Sequence, residues 1–468
     1  MKLKNILFFC SFVLVGFTAI AQDFSSKNQL LKFKQFSLTE GLSQSTVLCI
    51  LQDSKGFLWF GTRDGLNKYD GHTFTSYRYN YQDKNSISNS FIKCLLEDKN
   101  GNIWIGTNNG LNKYIPHTDN FIRFKGSNVD GSLINNEIWS LASGKAAYIW
   151  IGTNDGLEKF NINTGKSQHI VDKTQISTKN QIRSLFVTSS NNLWICNREN
   201  ITIYNDQKKQ FKEISYPEKQ VRKSTRTYSP IIYEDKNKNI WLGYRDGLAF
   251  FNSEKNEFEH FKINSDKITS ITDEVRTIHQ DFFENIWVGT YNGLYTINKE
   301  KTIINQHLHD ENNPSSLSQN SIYSIIGDTK GDVWIGTYAG GVNYYDRSFD
   351  LFKNYYAGPN NYKLNYKVIS SIVEDAANNL WIGTEGGGIN FLDKKTDKFT
   401  YYTHNKEDPK SISTNNVKSI LKTEEGNLWI GTHDGGLNFL NPTKKPFNFI
   451  KYKNNPKDSL SLSNDRRL

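Results

Sequence analysis

The 468-residue chain combines 22% charged and 13% aromatic residues with 33 glycines and a single methionine, a β-rich and turn-rich composition that argues against a helical bundle. Its formal charge of +9 is spread over scattered lysines without a dense basic run, so nucleic acid is excluded as a natural partner and the charge reads as a solvated surface. No cysteine, histidine or carboxylate spacing suits a metal, so neither a metal nor another cofactor is expected.

Residues 1–21 read as a secretory signal peptide. Lys2 and Lys4 precede an apolar run from Ile6 to Phe17, and Ala19-Ile20-Ala21 supplies a small-residue cleavage site. The run is short for the ~20 apolar residues of a membrane helix. Processing leaves Cys49, Cys94 and Cys196, read as small buried residues rather than a disulfide framework. A periplasmic location is expected.

The next element is Leu31-Lys-Phe-Lys-Gln-Phe36. It resembles an outer strand without a unit of its own and is a candidate to close a ring. A repeat then begins. Tryptophans fall at Trp59, Trp104, Trp150, Trp194, Trp241, Trp287, Trp334, Trp381 and Trp429, spaced 44 to 48 apart, with Trp139 alone outside the series. Each unit holds four strand signals. The first strand is a run such as Val275-x-x-Ile278-x-x-Asp281. Six of the nine units carry Asp six residues before Trp, and Thr423 takes that place once, which implies a tight hairpin of constant length. The second strand is Trp-[hydrophobic]-Gly-Thr, followed by Asp-Gly or Asn-Gly pairs at Asp64, Asn109, Asp155, Asp246, Asn292 and Asp434, residues suited to positive φ in a tight hairpin. Third and fourth strands follow, as in Leu66–Tyr69 and Phe121–Phe124.

Four antiparallel strands per 40–50 residues is the blade pattern of a β-propeller. The nine tryptophans are expected as structural core between blades, with each following Gly allowing close approach of sheets. In the fourth unit, Trp194-Ile-Cys196-Asn197-Arg198 loses both glycines, so its second turn should be distorted. The last three units gain one glycine, at Gly340-Gly341, Gly387-Gly388 and Gly435-Gly436, expected as a β-bulge. The preferred division is one seven-bladed ring of four-stranded antiparallel blades over 22–347 and about two blades of a second, incomplete ring over 348–468. Ser459–Asp465 repeats the lead-in of a unit, as Ser316–Asn320 and Ser411–Asn415 do, so the chain reads as a fragment.

The segments FLWFGTRDGLNKYDG (57–71), LWIGTEGGGINFLD (380–393) and GLSQSTVLCILQDSKG (41–56) resemble the two-component regulator propeller repeats. These occur in the periplasmic sensor half of bacterial hybrid two-component histidine kinases. The resemblance implies paired seven-bladed propellers, an immunoglobulin-like domain, a membrane helix and a kinase core, none of the last three legible in this chain. It also implies an oligosaccharide signal and a homodimer in the full-length receptor.

In a blade, the lead-in loop and the turn between strands two and three share a face. That face presents Arg63, Asp64, Asn109, Asp155, Arg198, Arg245, Asp246, Tyr291 and Asn292, whose planar polar groups and aromatic ring suit sugar hydroxyls and carboxylates. They are the candidate ligand-binding residues, set against their plainer reading as turn formers. Two other readings compete. One is a propeller hydrolase or lyase acting on glycans. Asp53-x-x-Gly56-x-x-Trp59 resembles the Asp-box of sialidases with one residue too many, and no unit carries a distinctive acid pair or nucleophile, so no catalytic residue is assigned. The other is a passive protein-binding scaffold.

Overall fold

The computed structural model describes residues 31–145, 147–170, 181–197, 200–217, 230–265, 267–348, 355–359 and 361–465. The signal-peptide segment 1–21 lies outside them. No helix among the described residues is long and apolar enough to cross a membrane.

The described residues form nine four-stranded antiparallel sheets. They fall into two compact units, divided near residue 350. The first unit holds seven sheets. Their first strands are Val47–Gln52, Ile92–Glu97, Ile138–Ser143, Ser184–Val187, Ile231–Glu234, Val275–Gln280 and Ile322–Gly327. Each of these lies beside the next, and the seventh lies beside the first, so the sheets close into a ring with these strands innermost. The outermost place in the seventh sheet is taken by Lys34–Phe36, paired antiparallel with Val342–Tyr345. The N-terminal segment thereby completes a sheet begun by residues almost three hundred positions later and covers the ladder edge of Val342–Tyr345. Phe36 holds the seam by stacking on Trp334, with ring centroids 5.6 Å apart, and meeting Tyr69 edge-on at 5.6 Å.

The repeated tryptophans lie between sheets. Trp59 is 1% exposed and meets Tyr114 of the second sheet edge-on at 4.8 Å, in a cluster with Ile92, Ile103 and Ile105. Its indole N–H donates to Asp53 Oδ2, while Asp53 Oδ1 accepts the backbone N–H groups of Lys55 and Phe57. One carboxylate thus caps the hairpin and satisfies the buried indole. In the first and second sheets the glycine two residues after the tryptophan opposes a cysteine of the first strand: a Cβ on Gly61 would lie 2.4 Å from Cys49 Sγ, and one on Gly106 the same distance from Cys94 Sγ. Cys49, Cys94 and Cys196 are free, and burial pushes the Cys94 thiol up to about 12, so they are packing groups at neutral pH.

The turn after Trp-x-Gly-Thr differs from the sequence expectation. Positive φ falls on Gly65, Gly110, Gly156, Gly247 and Gly293 but not on the Asp or Asn before them, whereas Asp434 adopts it as expected, with φ 61°. The threonine completes the turn instead: Thr62 Oγ1 accepts from the Asp64 backbone N–H and donates to the Gly65 carbonyl. The extra glycine of units seven to nine also differs. The ladder beyond it runs without a register break, and the turn is simply one residue longer, with Thr337 Oγ1 reaching the Gly341 carbonyl. In the fourth sheet Asn197 replaces the threonine and its Oδ1 accepts the Asn200 backbone N–H.

The second unit holds two sheets, with first strands Ile369–Glu374 and Val417–Lys422. Trp381 is buried between them, whereas Trp429 is half-buried. Ile372 is 57% exposed and Leu421 66%, so this pair of sheets presents uncovered apolar faces.

Candidate functional site

The β-bulges of this fold sit in the first strands. Register shifts between Val47 and Cys49, Ile92 and Cys94, Ile138 and Ser140, Val275 and Thr277, and Ile322 and Ser324 each leave one residue without a ladder partner. A bulge re-aims the side chain of its extra residue. The bulge residues here are Leu48, Lys93, Trp139, Arg276 and Tyr323. Arg183 and Pro230 hold the same register in the fourth and fifth sheets. All seven line one cavity of about 460 Å³, bounded by the first strands of all seven sheets of the ring. The central channel is therefore lined by one variable residue per otherwise repeated unit.

These residues associate in two groups. Lys93 Nζ lies 3.2 Å from the ring centroid of Trp139, and the Arg183 guanidinium lies 3.8 Å from the same centroid. Lys93 also pairs with Glu137 at 2.5 Å. Burial pushes the Lys93 ammonium below its ordinary value, against the pull of Glu137. On the other side, the Arg276 guanidinium lies 4.6 Å from the Tyr323 ring and 5.1 Å from that of Tyr291. Arg276 pairs with Glu274 at 2.8 Å and donates to Ser321 Oγ at 2.8 Å. Tyr323 neighbours Tyr338, over which Arg63 lies at 5.1 Å. Tyr291, Arg276, Tyr323, Tyr338 and Arg63 thus form a belt across the sixth, seventh and first sheets.

Of the residues anticipated from sequence, Arg63 and Tyr291 join this belt, and Arg63 lines the channel. Others serve their own turns. Asp64 pairs with Arg78 at 3.3 Å, the Asn109 backbone N–H donates to Thr107 Oγ1, Asp155 accepts from Asn135 Nδ2 at 2.7 Å, and the Asn292 carbonyl accepts from Gln306 Nε2. Asp246 is exposed and Arg245 half-exposed at their turn, and Arg198 lies outside the described residues. Sequence reasoning missed Lys93, Trp139, Arg183, Arg276 and Tyr323. A partial signal was present: in six of the seven units the residue after a first-strand Val or Ile changes freely, whereas in the fifth Pro230 follows Ser229. Trp139, alone outside the tryptophan series, is one of them.

Five segments of the chain, 41–64, 86–109, 316–339, 363–386 and 411–434, match the family described as "Two component regulator propeller". The chain is similar to the extracellular domain assigned to a hybrid two-component system of B. thetaiotaomicron, with TM-score 0.71 and 29% identity over 91% of this chain and 55% of that one. A second extracellular domain from that organism, at TM-score 0.57 and 22% identity over 90% of this chain and 54% of the other, shares the fold. A stretch of 76 residues is 50% identical to "Histidine kinase P4" of Formosa agariphila, covering 16% of this chain and 6% of that protein. The chain spans about half the length of these solved relatives.

Proposed function

For a chain that carries two-component regulator propeller repeats, we propose the role of an extracytoplasmic ligand-sensing propeller that detects an oligosaccharide and passes the signal to a kinase outside this sequence. The observation that carries this reading is the channel: a rigid, repeated scaffold devotes one variable residue per sheet to a single cavity and surrounds it with tyrosines and guanidinium groups. Ligand sites are concave, mostly apolar and given direction by a few fixed polar groups. Aromatic faces suit the apolar faces of sugar rings, and guanidinium forks suit their oxygens.

The reading is supported by two similar solved structures, both described as extracellular domains of signalling systems. Residues 1–21 would direct the chain to the periplasm and be removed, and the full-length receptor would act as a homodimer. The test is to replace Arg63 and Tyr291 together by Ala in a full-length sensor and measure both oligosaccharide affinity and signalling. The reading predicts that both fall while the protein stays folded. Unchanged affinity and signalling would remove this site.

A further inference from the structure

The hairpins that join first and second strands carry a repeated bond from one sheet to the next. The Ser54 backbone N–H donates to both oxygens of Glu97, at 3.0 and 2.9 Å, and the Ser54 hydroxyl donates to the same carboxylate. Ser189 holds Glu234 in the same way, by its N–H at 2.7 Å and its hydroxyl at 3.0 Å. The Lys236 N–H donates to Gln280 Oε1 at 2.8 Å, and the Thr329 N–H to Gln52 Oε1 at 2.7 Å. Each acceptor is the last residue of the next sheet's first strand. Three junctions lack such an acceptor. Between the sixth and seventh sheets the position is Gly327, and His279 fills the space: a Cβ on Gly327 would lie 2.5 Å from His279 Nε2. Between the second and third sheets it is Ser143, and between the third and fourth it is Val187. Lys99 and Lys145 stand there in the place of Ser54. At these two consecutive junctions a cavity of about 330 Å³ opens, lined by Lys99, Ser143, Lys145 and Val187 together with Tyr148 and Asp206. Asp206 is the one carboxylate among the lining residues, and it is already engaged: it accepts from Lys159 Nζ and Lys209 Nζ at 2.7 Å each and from the Tyr148 hydroxyl at 2.9 Å. The Lys99 and Lys145 ammonium groups are exposed and have no ion-pair partner among the described residues.

We propose that this cavity binds a small molecule bearing a carboxylate, which takes at Lys99 and Lys145 the place that Glu97 takes at Ser54. The molecule supplies its own template for the ligand, since a carboxylate from the next sheet serves the same hairpin position elsewhere in the ring. Here the scaffold withholds that carboxylate, leaves room for one, and adds an ammonium group at each of the two hairpins. Bonds between an ionised donor and a carboxylate are about twice as strong as neutral ones. The volume falls within the range of small-molecule sites. The hairpins lie at the opposite end of the strands from the turns that carry Arg63 and Tyr291, so this site is separate from the channel mouth and independent of the sensing function proposed above.

The experiment is calorimetric titration of the purified chain with succinate and glucuronate, with their neutral counterparts succinamide and glucose, and with sulfate. It is repeated with Lys99→Gln, Lys145→Gln and Ser143→Glu. The two lysine variants alter exposed side chains and guard against a folding failure of the third. The expected result is that at least one carboxylate binds roughly tenfold or more tighter than its neutral counterpart, the advantage of a charge-assisted hydrogen bond. That advantage should shrink in each lysine variant and at high salt. It should vanish in Ser143→Glu, where the added carboxylate reaches the Lys99 hairpin as Glu97 reaches Ser54. Equal affinity for the carboxylates and their neutral counterparts overturns the proposal, as does the absence of binding by either carboxylate. Sulfate binding more tightly than both carboxylates overturns the assignment of the ligand class. A carboxylate advantage that survives in Ser143→Glu, or in both lysine variants, places the ligand elsewhere on the chain and overturns the site.

Discussion

The indole Nε1 of Trp104 donates to Asp98 Oδ2 at 2.8 Å, inside a hairpin whose backbone N–H groups at Asn100 and Asn102 both donate to Asp98 Oδ1. The same bond joins Trp59 to Asp53, Trp241 to Asp235 and Trp287 to Asp281. The carboxylate accepts from every neighbour, so an amide is not equivalent: one of its two atoms is a donor facing another donor. Asp98→Asn should destabilise the chain by ~1–3 kcal/mol, the cost of leaving a buried polar group unsatisfied. Urea unfolding followed by tryptophan fluorescence checks it, and an unchanged midpoint would remove the indole bond from the account.

Gly106 allows the second sheet to meet its neighbours. A Cβ there would lie 2.4 Å from Cys94 Sγ and 2.7 Å from Ile138 Cγ2. Gly106→Ala should cost ~1–3 kcal/mol through overpacking. Cys94→Ala removes one of the two obstructions, so the double variant should be less destabilised than the sum of the singles. Strict additivity in a double-mutant cycle would contradict the packing.

Ring closure depends on Phe36, which is 5% exposed and touches Trp334 and Tyr69 across the seam between the seventh and first sheets. Phe36→Ala should cost ~3–5 kcal/mol. Limited proteolysis should then cleave first near the seam, at the strand that Lys34–Phe36 covers. Cleavage unchanged in rate and position would argue that the closing strand is dispensable.

Much of this was legible in the sequence, and the exceptions have physical causes. The tryptophan period, the Asp hairpins and the closing strand at Phe36 follow from local pattern, because each sheet repeats the same side-chain environment. The role of Asp53 as indole acceptor was not legible, since a turn Asp and a hydrogen-bonding Asp look alike until the strands pair. The channel residues were obscured for a related reason. Period-two alternation assigns Lys93 and Trp139 to a sheet face, but a bulge, visible only in the ladder register, turns them toward the channel. Of the loop residues, Arg63 and Tyr291 reach the belt, whereas Asp64 and Asn109 are held by turn geometry.

A buried substitution within the repeat predicts a pH effect. Asn67, Asn112 and Asn343 each accept a lead-in backbone N–H, from Ser43, Ser88 and Ser318 at 2.8 Å. In the third sheet Glu158 takes this place, accepting from the Ile134 N–H and from the Ser167 hydroxyl. Glu158 is 0% exposed, and burial raises its carboxyl from 4.5 to about 7. Between those values the folded chain keeps a proton that the unfolded chain releases, so this group's contribution is most favourable below about pH 4.5 and is lost as pH rises through about 7, up to ~3 kcal/mol. Glu158→Gln keeps both hydrogen bonds without the titration. Its stability advantage over the natural chain should therefore grow between pH 5 and pH 8. A constant difference in urea midpoint at the two values would contradict the buried carboxyl.

The central claim is that this propeller binds a glycan without transforming it. The direct measurement incubates the purified chain with an oligosaccharide panel, reading saturable binding by calorimetry and the recovered glycans by mass spectrometry. The account predicts binding of at least one member, abolished with Arg63 and Tyr291 replaced, and every glycan recovered intact. Cleavage of any glycan by the chain, or saturable binding of none, would contradict it.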